Sequence, residues 1–110
     1  MATLSQQARK IARAYIKKAR TRINVKYALL FGSAARGTMN KDSDIDLIVL
    51  SDDFKNMDLG KRLVALSRLR GREFIKQPMD ILGYTPSEFN SLARRSAMFA
   101  EAKRQGHIIT

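Results

Sequence analysis

Leu30 to Leu50 reads LFGSAARGTMNKDSDIDLIVL, and this stretch decides the fold. An apolar run ends at Gly32-Ser33, a polar segment follows, and a second apolar run opens on Asp44 and Asp46, spaced i, i+2. Val25 to Phe31 is apolar except for Lys26 and rich in strand formers, which predicts a buried strand stopped by Gly32. Ile45 to Leu50 predicts the second strand, with a turn and a short helical segment between the two, through Lys41. Side chains alternate across a strand, so Asp44 and Asp46 project from one face while Ile45, Leu47 and Val49 take the other.

Upstream, Thr3 and Gln6 form a Thr-x-x-Gln capping box, and Ala8, Ile11, Ala12, Tyr15, Ile16, Ala19 and Ile23 recur at helical spacing. This predicts an amphipathic helix over 4–22, its other face carrying Arg9, Lys10, Arg13, Lys17, Lys18, Arg20 and Arg22. Downstream, a polar connection from Ser51 to Asp58 leads to a helix marked by Leu59, Leu63, Leu66 and Leu69 or Arg70, ended by Gly71. Its Lys61, Arg62, Arg68 and Arg70 extend the basic surface. A third strand fits Met79 to Gly83, because Pro78 cannot donate to a ladder and suits the first strand position.

Thr85-Pro86-Ser87-Glu88 is a second capping box. The helix it opens has a core side of Phe89, Leu92, Ala93, Met98, Phe99 and Ala102, a break near Ser96, and a stop at Gly106. His107 to Thr110 can add a terminal strand. The order predicts an α/β (α+β) fold, a small mixed β-sheet with helices packed on it.

Composition bounds the function. A chain of 110 residues suits one domain, 1–110, that removes roughly two thirds of its unfolded surface from water. Without cysteine there is no disulfide framework and no Cys-based zinc site, and a single histidine, His107, makes no His-rich one. The apolar runs fall far short of the ~20 residues a bilayer span needs, so a soluble, cytoplasmic protein with no membrane partner is expected.

Net charge is +11, and residues 1–41 hold ten Lys and Arg and no acid. Such a field attracts polyanions: a nucleoside triphosphate, RNA or an acidic protein surface. The same stretch superficially resembles a transit peptide, against which the helix cap and core-facing stripe argue.

Two carboxylates on one strand face, with Asp80 available from another strand, make a hard-oxygen cluster suited to Mg²⁺ or Mn²⁺. Unpaired, such charges repel, so either a cation joins them or their pKa values rise. Two ions sharing such a pair stand about 3.5–4 Å apart, the spacing used for in-line phosphoryl displacement. The Gly32-Ser33 turn can direct backbone N–H groups and a hydroxyl to phosphate oxygens, and Arg36 lies in the same loop.

Three competing readings meet obstacles. As a calcium loop beginning at Asp42, the segment has Leu47 where glycine belongs and Asp53 where glutamate belongs. As a P-loop beginning at Gly32, it has Thr38 in place of the lysine. As the polar face of a half-exposed strand, an isolated Asp-x-Asp would be unremarkable; its company, Gly-Ser ten residues upstream and Asp80 in a later strand, weighs against that.

With these residues in place, the chain resembles the DNA polymerase beta-like nucleotidyltransferase superfamily, specifically its smallest members, the minimal nucleotidyltransferases. Phe31-Gly32-Ser33 and Asp44-Ile45-Asp46-Leu47 carry the resemblance, Arg36-Gly37 and Ser43 are in the same style, and Met79-Asp80-Ile81 fits the third-carboxylate strand. The resemblance implies that Asp44 and Asp46 ligate two Mg²⁺ ions, Mn²⁺ being an alternative, and that Asp80 joins one of them beside the acceptor hydroxyl. It implies that Gly32 and Ser33 hold the triphosphate, so that an acceptor oxygen displaces pyrophosphate from ATP or another NTP.

Minimal nucleotidyltransferases are often paired with a small helical HEPN protein, in some pairs an RNase toxin silenced by AMP transfer to a tyrosine. The expectation is therefore an adenylyltransferase antitoxin with a HEPN partner. Two alternatives stand beside it: a non-catalytic subunit inhibiting by contact, and RNA or tRNA nucleotidyl transfer or RNA binding through the Arg9 to Lys26 surface. The sequence leaves base preference, acceptor and any homo-oligomer open.

Overall fold

In the computed structural model, which describes residues 2–110, the two runs flanking Gly32 pair as the centre of a sheet. β1 (Tyr27–Phe31) and β2 (Ile45–Leu50) are antiparallel, with Phe31 opposite Asp46. The chain then crosses through α3 (Leu59–Arg70) to β3 (Met79–Tyr84), which lies parallel to β2 as a helical crossover requires. A short β4 (His107–Ile109) joins β1 antiparallel, giving the order β3-β2-β1-β4. The sheet is mixed and has helices packed on it, as the sequence predicts, and those helices cover both faces.

Alternation along the strands divides the core. Ala28, Leu30, Ile45, Leu47, Val49 and Ile81 pack on the face covered by α1 (Leu4–Ala19) and α3, with Tyr15, Ile16 and Leu66. Tyr15 is fully buried and donates its hydroxyl to Leu66 O at 2.7 Å, which ties α1 to α3. Leu29, Ile48 and Leu50 pack on the opposite face with Phe89, Phe99 and Ala102.

Those last three belong to α4 (Pro86–Arg95) and α5 (Ala97–Gln105), separated by extended backbone at Ser96. Ser96 N–H closes α4 on Leu92 O at 2.8 Å, and Ser96 O receives Ala100 N–H at 2.9 Å to open α5. The expected break is therefore a change of helix.

Boundaries differ by small amounts. The N-terminal helix, capped reciprocally by Thr3 and Gln6, ends at Ala19 and not at Arg22. Arg20–Arg22 form a turn, and Arg20 donates its guanidinium to Val25 O at 3.3 Å to redirect the chain into the sheet. Strand pairing consequently begins at Tyr27, two residues later than the apolar run.

Two assignments of side chains are corrected. Arg62, expected on the basic surface, is 4% exposed. Its fork meets Glu88 at 2.7 and 3.0 Å and the carbonyls of Met57, Gly83 and Phe54 at 2.9, 3.2 and 2.6 Å. A planar group with five donors can enter the interior when that many acceptors converge on it.

Met98, expected on the core side, is 51% exposed. The break at Ser96 resets the helical phase, so Phe99 and Ala102 face the core and Met98 turns away. Among the described residues no helix is long and apolar enough to cross a membrane.

Candidate active site

The end of the β1 strand is built so that backbone, not side chain, meets the second strand's carboxylate. Gly32 has φ 68° and ψ −144°, a conformation that side chains oppose. A Cβ there would collide with Asp46 Oδ2 and lie 3.2 Å from its Cγ. Glycine is thus required twice, by the turn and by the close approach.

The loop goes straight into α2 (Ser33–Arg36), with no side-chain cap, and leaves it through Gly37 at φ 72°. Ser33 and Ala34 N–H stand in the first turn, outside the helix's own bonding. Beyond it, Asn40 and Ser43 close the return to β2: Asn40 N–H meets Ser43 Oγ at 3.0 Å, and Asp42 N–H meets Asn40 Oδ1 at 2.8 Å.

Asp46 and Asp80 are direct partners in the parallel β2–β3 ladder, on strands roughly 4.8 Å apart. Burial pushes the Asp46 carboxyl up from its ordinary range, the charges of Asp80 and Asp44 push it further, and Arg36 partly offsets them. This is the signature of like charges converging on a half-buried group.

Gly32, Arg36, Asp46 and Asp80 line one pocket of about 410 Å³ with Phe31 and Leu82. Ser33 follows Gly32 as the first residue of α2, and Asp44 stands exposed one residue before β2; neither lines the pocket.

The far wall is α5, which the sequence reading did not assign to the site. Met98, Glu101 and Gln105 face the pocket, and Arg36 Nη1 lies 4.0 Å from Glu101 Oε1 across it. The signal was present as a second stripe at i, i+3, i+7 counted from the far side of Ser96. It becomes legible only once the helix is cut there.

The sequence model of the nucleotidyltransferase domain matches residues 12–103. The chain belongs to the nucleotidyltransferase domain family. A Sulfolobus solfataricus protein assigned as a nucleotidyltransferase has a similar crystal structure, with TM-score 0.64 at 21% identity, over 83% of this chain and 82% of that one. A chain in a crystal structure of a toxin–antitoxin with AMP-PNP is also similar, with TM-score 0.58 at 24% identity, over 87% and 70% respectively. No curated protein matches the chain.

Nucleotidyltransferase domains generally use divalent metals, and the residues present fit such an ion in their chemistry. Among the described residues no three carboxylate, thiol or imidazole groups gather closely enough to enclose an ion alone. Mg²⁺ does not ask for that: it keeps several waters and takes one or two carboxylates plus substrate phosphates. Asp46 and Asp80, paired in register and both hard-oxygen donors, supply that minimum.

Proposed function

We propose that this nucleotidyltransferase transfers AMP from ATP, or NMP from another NTP, to a hydroxyl of a partner protein, and that it is the antitoxin of a HEPN-type toxin in the cytoplasm. The observation that carries the transfer is the pocket itself, where the Gly32 backbone presses on Asp46, Asp46 pairs with Asp80, and Arg36 supplies the one guanidinium among its lining residues. The likeness to a toxin–antitoxin chain supports the partner class.

Asp44, Asp46 and Asp80 would hold the divalent ions, two Mg²⁺ or Mn²⁺. Bound there, they would neutralise charge on the triphosphate and polarise its oxygens. Gly32, Ser33 and Arg36 would bind the phosphates through backbone N–H groups and a guanidinium. The acceptor oxygen bonds to the α-phosphorus as the bond to the bridging oxygen breaks. Pyrophosphate leaves with that electron pair, and the acceptor's proton passes to Asp80, the exposed member of the strand pair.

The test incubates the protein with α-labelled ATP, Mg²⁺ and the product of the neighbouring gene. Label on that partner, abolished by Asp44→Asn, is the expected result. A partner inhibited equally well by the Asp44→Asn protein, with no label transferred, would show inhibition by contact alone and sink the reading.

A further inference from the structure

Two clefts adjoin along one flank of α3 and share Ala65 and Arg68. One, of about 570 Å³, is lined by Lys61 and Val64. The other, of about 760 Å³, opens between α3, the 3₁₀ turn Asp52–Asn56 and the turn after α1, where Arg22 and Ile23 line it. The α3 positions 61, 64, 65, 68 and 69 recur at helical spacing, so one face of the helix forms a groove roughly 18 Å long. The groove shares no residue with the pocket of Asp46 and Asp80.

This groove offers apolar surface and uncompensated positive charge together. Val64 is half exposed, and Ile23, Met57 and Leu69 stand partly buried at the margin of the core. Lys61, Arg22 and Arg68 are exposed, and none of them pairs with a carboxylate among the described residues. Lys18 also lines it but is held by Glu73 at 3.2 Å. The two acids present are committed to backbone: Asp58 accepts Lys61 N–H at 2.8 Å, and Asp53 accepts Asn24 N–H at 2.8 Å.

The same residues select the occupant. No strand lines the groove, and its backbone is bonded internally: Met57 N–H meets Phe54 O at 3.0 Å, Met57 O accepts Arg62 Nε at 2.9 Å, and Ile23 N–H meets Ala19 O at 2.8 Å. An extended segment finds no ladder to join, whereas a helix laid in a groove uses side chains alone. Single-stranded RNA binds on exposed aromatic faces, and Phe54, the one aromatic among the lining residues, is fully buried. A second copy brings the wrong charge. The chain carries +11, α1 and α3 have no acid, and Glu88 and Glu101, the acids of α4 and α5, already face Arg62 and Arg36.

We propose that this groove docks an acidic amphipathic helix of a partner protein, with its apolar stripe on Val64, Ala65 and Ile23 and its carboxylates on Lys61, Arg68 and Arg22. Opposite charge on the two surfaces steers the encounter and fixes the register. A partner held here leaves the pocket of Asp46 and Asp80 open, so docking and nucleotidyl transfer are separable.

The test titrates ¹⁵N-labelled protein with a peptide of about 15 residues, long enough as a helix to span α3. Leucines stand at i, i+3, i+4 and i+7 with glutamates around them, and a second peptide has lysines in place of the glutamates. The acidic peptide is expected to move the amides of Ile23, Ala65 and Arg68 and to gain helical circular dichroism on binding. Arg68→Glu reverses a charge common to both clefts; it should weaken the acidic peptide about tenfold or more, a hot-spot-sized loss, and strengthen the lysine peptide. Leu59→Gln, exposed on the same helix but lining neither cleft, should leave both affinities unchanged. No shift at millimolar peptide, equal affinity for the lysine peptide, or shifts confined to the exposed face of α1 overturn the proposal. Binding without a gain of helix overturns the helical form, and an RNA oligonucleotide that moves the same amides at lower concentration overturns the choice of a protein. No nucleotide is present in this titration, so its failure is distinct from a failure of label transfer.

Discussion

Two charge clusters sit at the two ends of the same strand pair and have opposite logic. At one end, Arg62 and Glu88 form a bidentate ion pair whose remaining guanidinium donors are taken by carbonyls. The Arg62 hydrogen bond holds the Glu88 carboxyl below its ordinary range, and its capping bonds with Thr85 add to this. At the other end, Asp46 and Asp80 are like charges placed in register, and the Asp46 carboxyl is pushed up. The first cluster is complete as it stands. The second is left with uncompensated repulsion, and that asymmetry marks it as the candidate for function.

The sharpest way to break the comparison is to neutralise one member of the incomplete cluster. Asp46→Asn is expected to lower nucleotidyl transfer by roughly 10³-fold, the loss typical of removing one preorganised electrostatic partner of a transition state. The same change relieves repulsion, so the melting temperature of the metal-free variant should rise above wild type. Initial rates with α-labelled ATP and thermal melts in EDTA read the two effects separately. A variant that loses stability and keeps its rate would make Asp46 a fold residue.

The converse experiment removes a member of the complete cluster. Arg62→Ala strands Glu88 and three carbonyls, and is expected to cost about 3 kcal/mol, the low end for breaking a buried pair because Glu88 keeps access to solvent. Denaturant unfolding measures it. The transfer rate per folded molecule should be unchanged, since Arg62 does not line the pocket.

Acid titration puts both clusters into one measurement. The folded pKa of Glu88 is depressed, so its stabilisation is complete above its unfolded value of about 4.3 and is lost as pH falls through the folded value. The folded pKa of Asp46 is raised above its unfolded value of about 3.9, so its destabilisation is complete above the folded pKa and fades as pH falls through it. The advantage of Asp46→Asn in metal-free melts should therefore be largest near neutrality and vanish in acid. A constant advantage across pH would mean that packing, not charge, produces it.

What could be read from residues alone follows the same division. The centre of the sheet was legible because Gly32 and the Asp44-Ile45-Asp46 run each break an apolar pattern at a fixed place. The pairing of Asp46 with Asp80 depends on the register of a parallel crossover, which no local pattern encodes. Arg62 looked like one more cation on a solvated helix, and Glu88 like a capping residue. The glutamate does cap, accepting Thr85 N–H at 2.8 Å, and takes Arg62 with the same carboxylate. The α5 wall was hidden because one extended residue at Ser96 shifts the helical phase of everything after it.

A third pairing lines the same pocket as the incomplete cluster. Arg36 and Glu101 face each other across the pocket at 4.0 Å, with side chains 49% and 46% exposed. An exposed pair contributes at most about 0.5–1 kcal/mol, so Glu101→Gln should leave the melting temperature almost unchanged. Its effect belongs to the incomplete cluster: it removes a negative charge from a pocket proposed to receive a triphosphate and releases Arg36 from a competing carboxylate. Nucleotide affinity is expected to rise a few-fold, most at low salt, where the charges are least screened. Fluorescent ATP-analogue titrations at two ionic strengths measure this. Affinity that falls instead would mean that Glu101 holds Arg36 in the position the phosphates need, which would move the pair into the same class as Arg62 and Glu88.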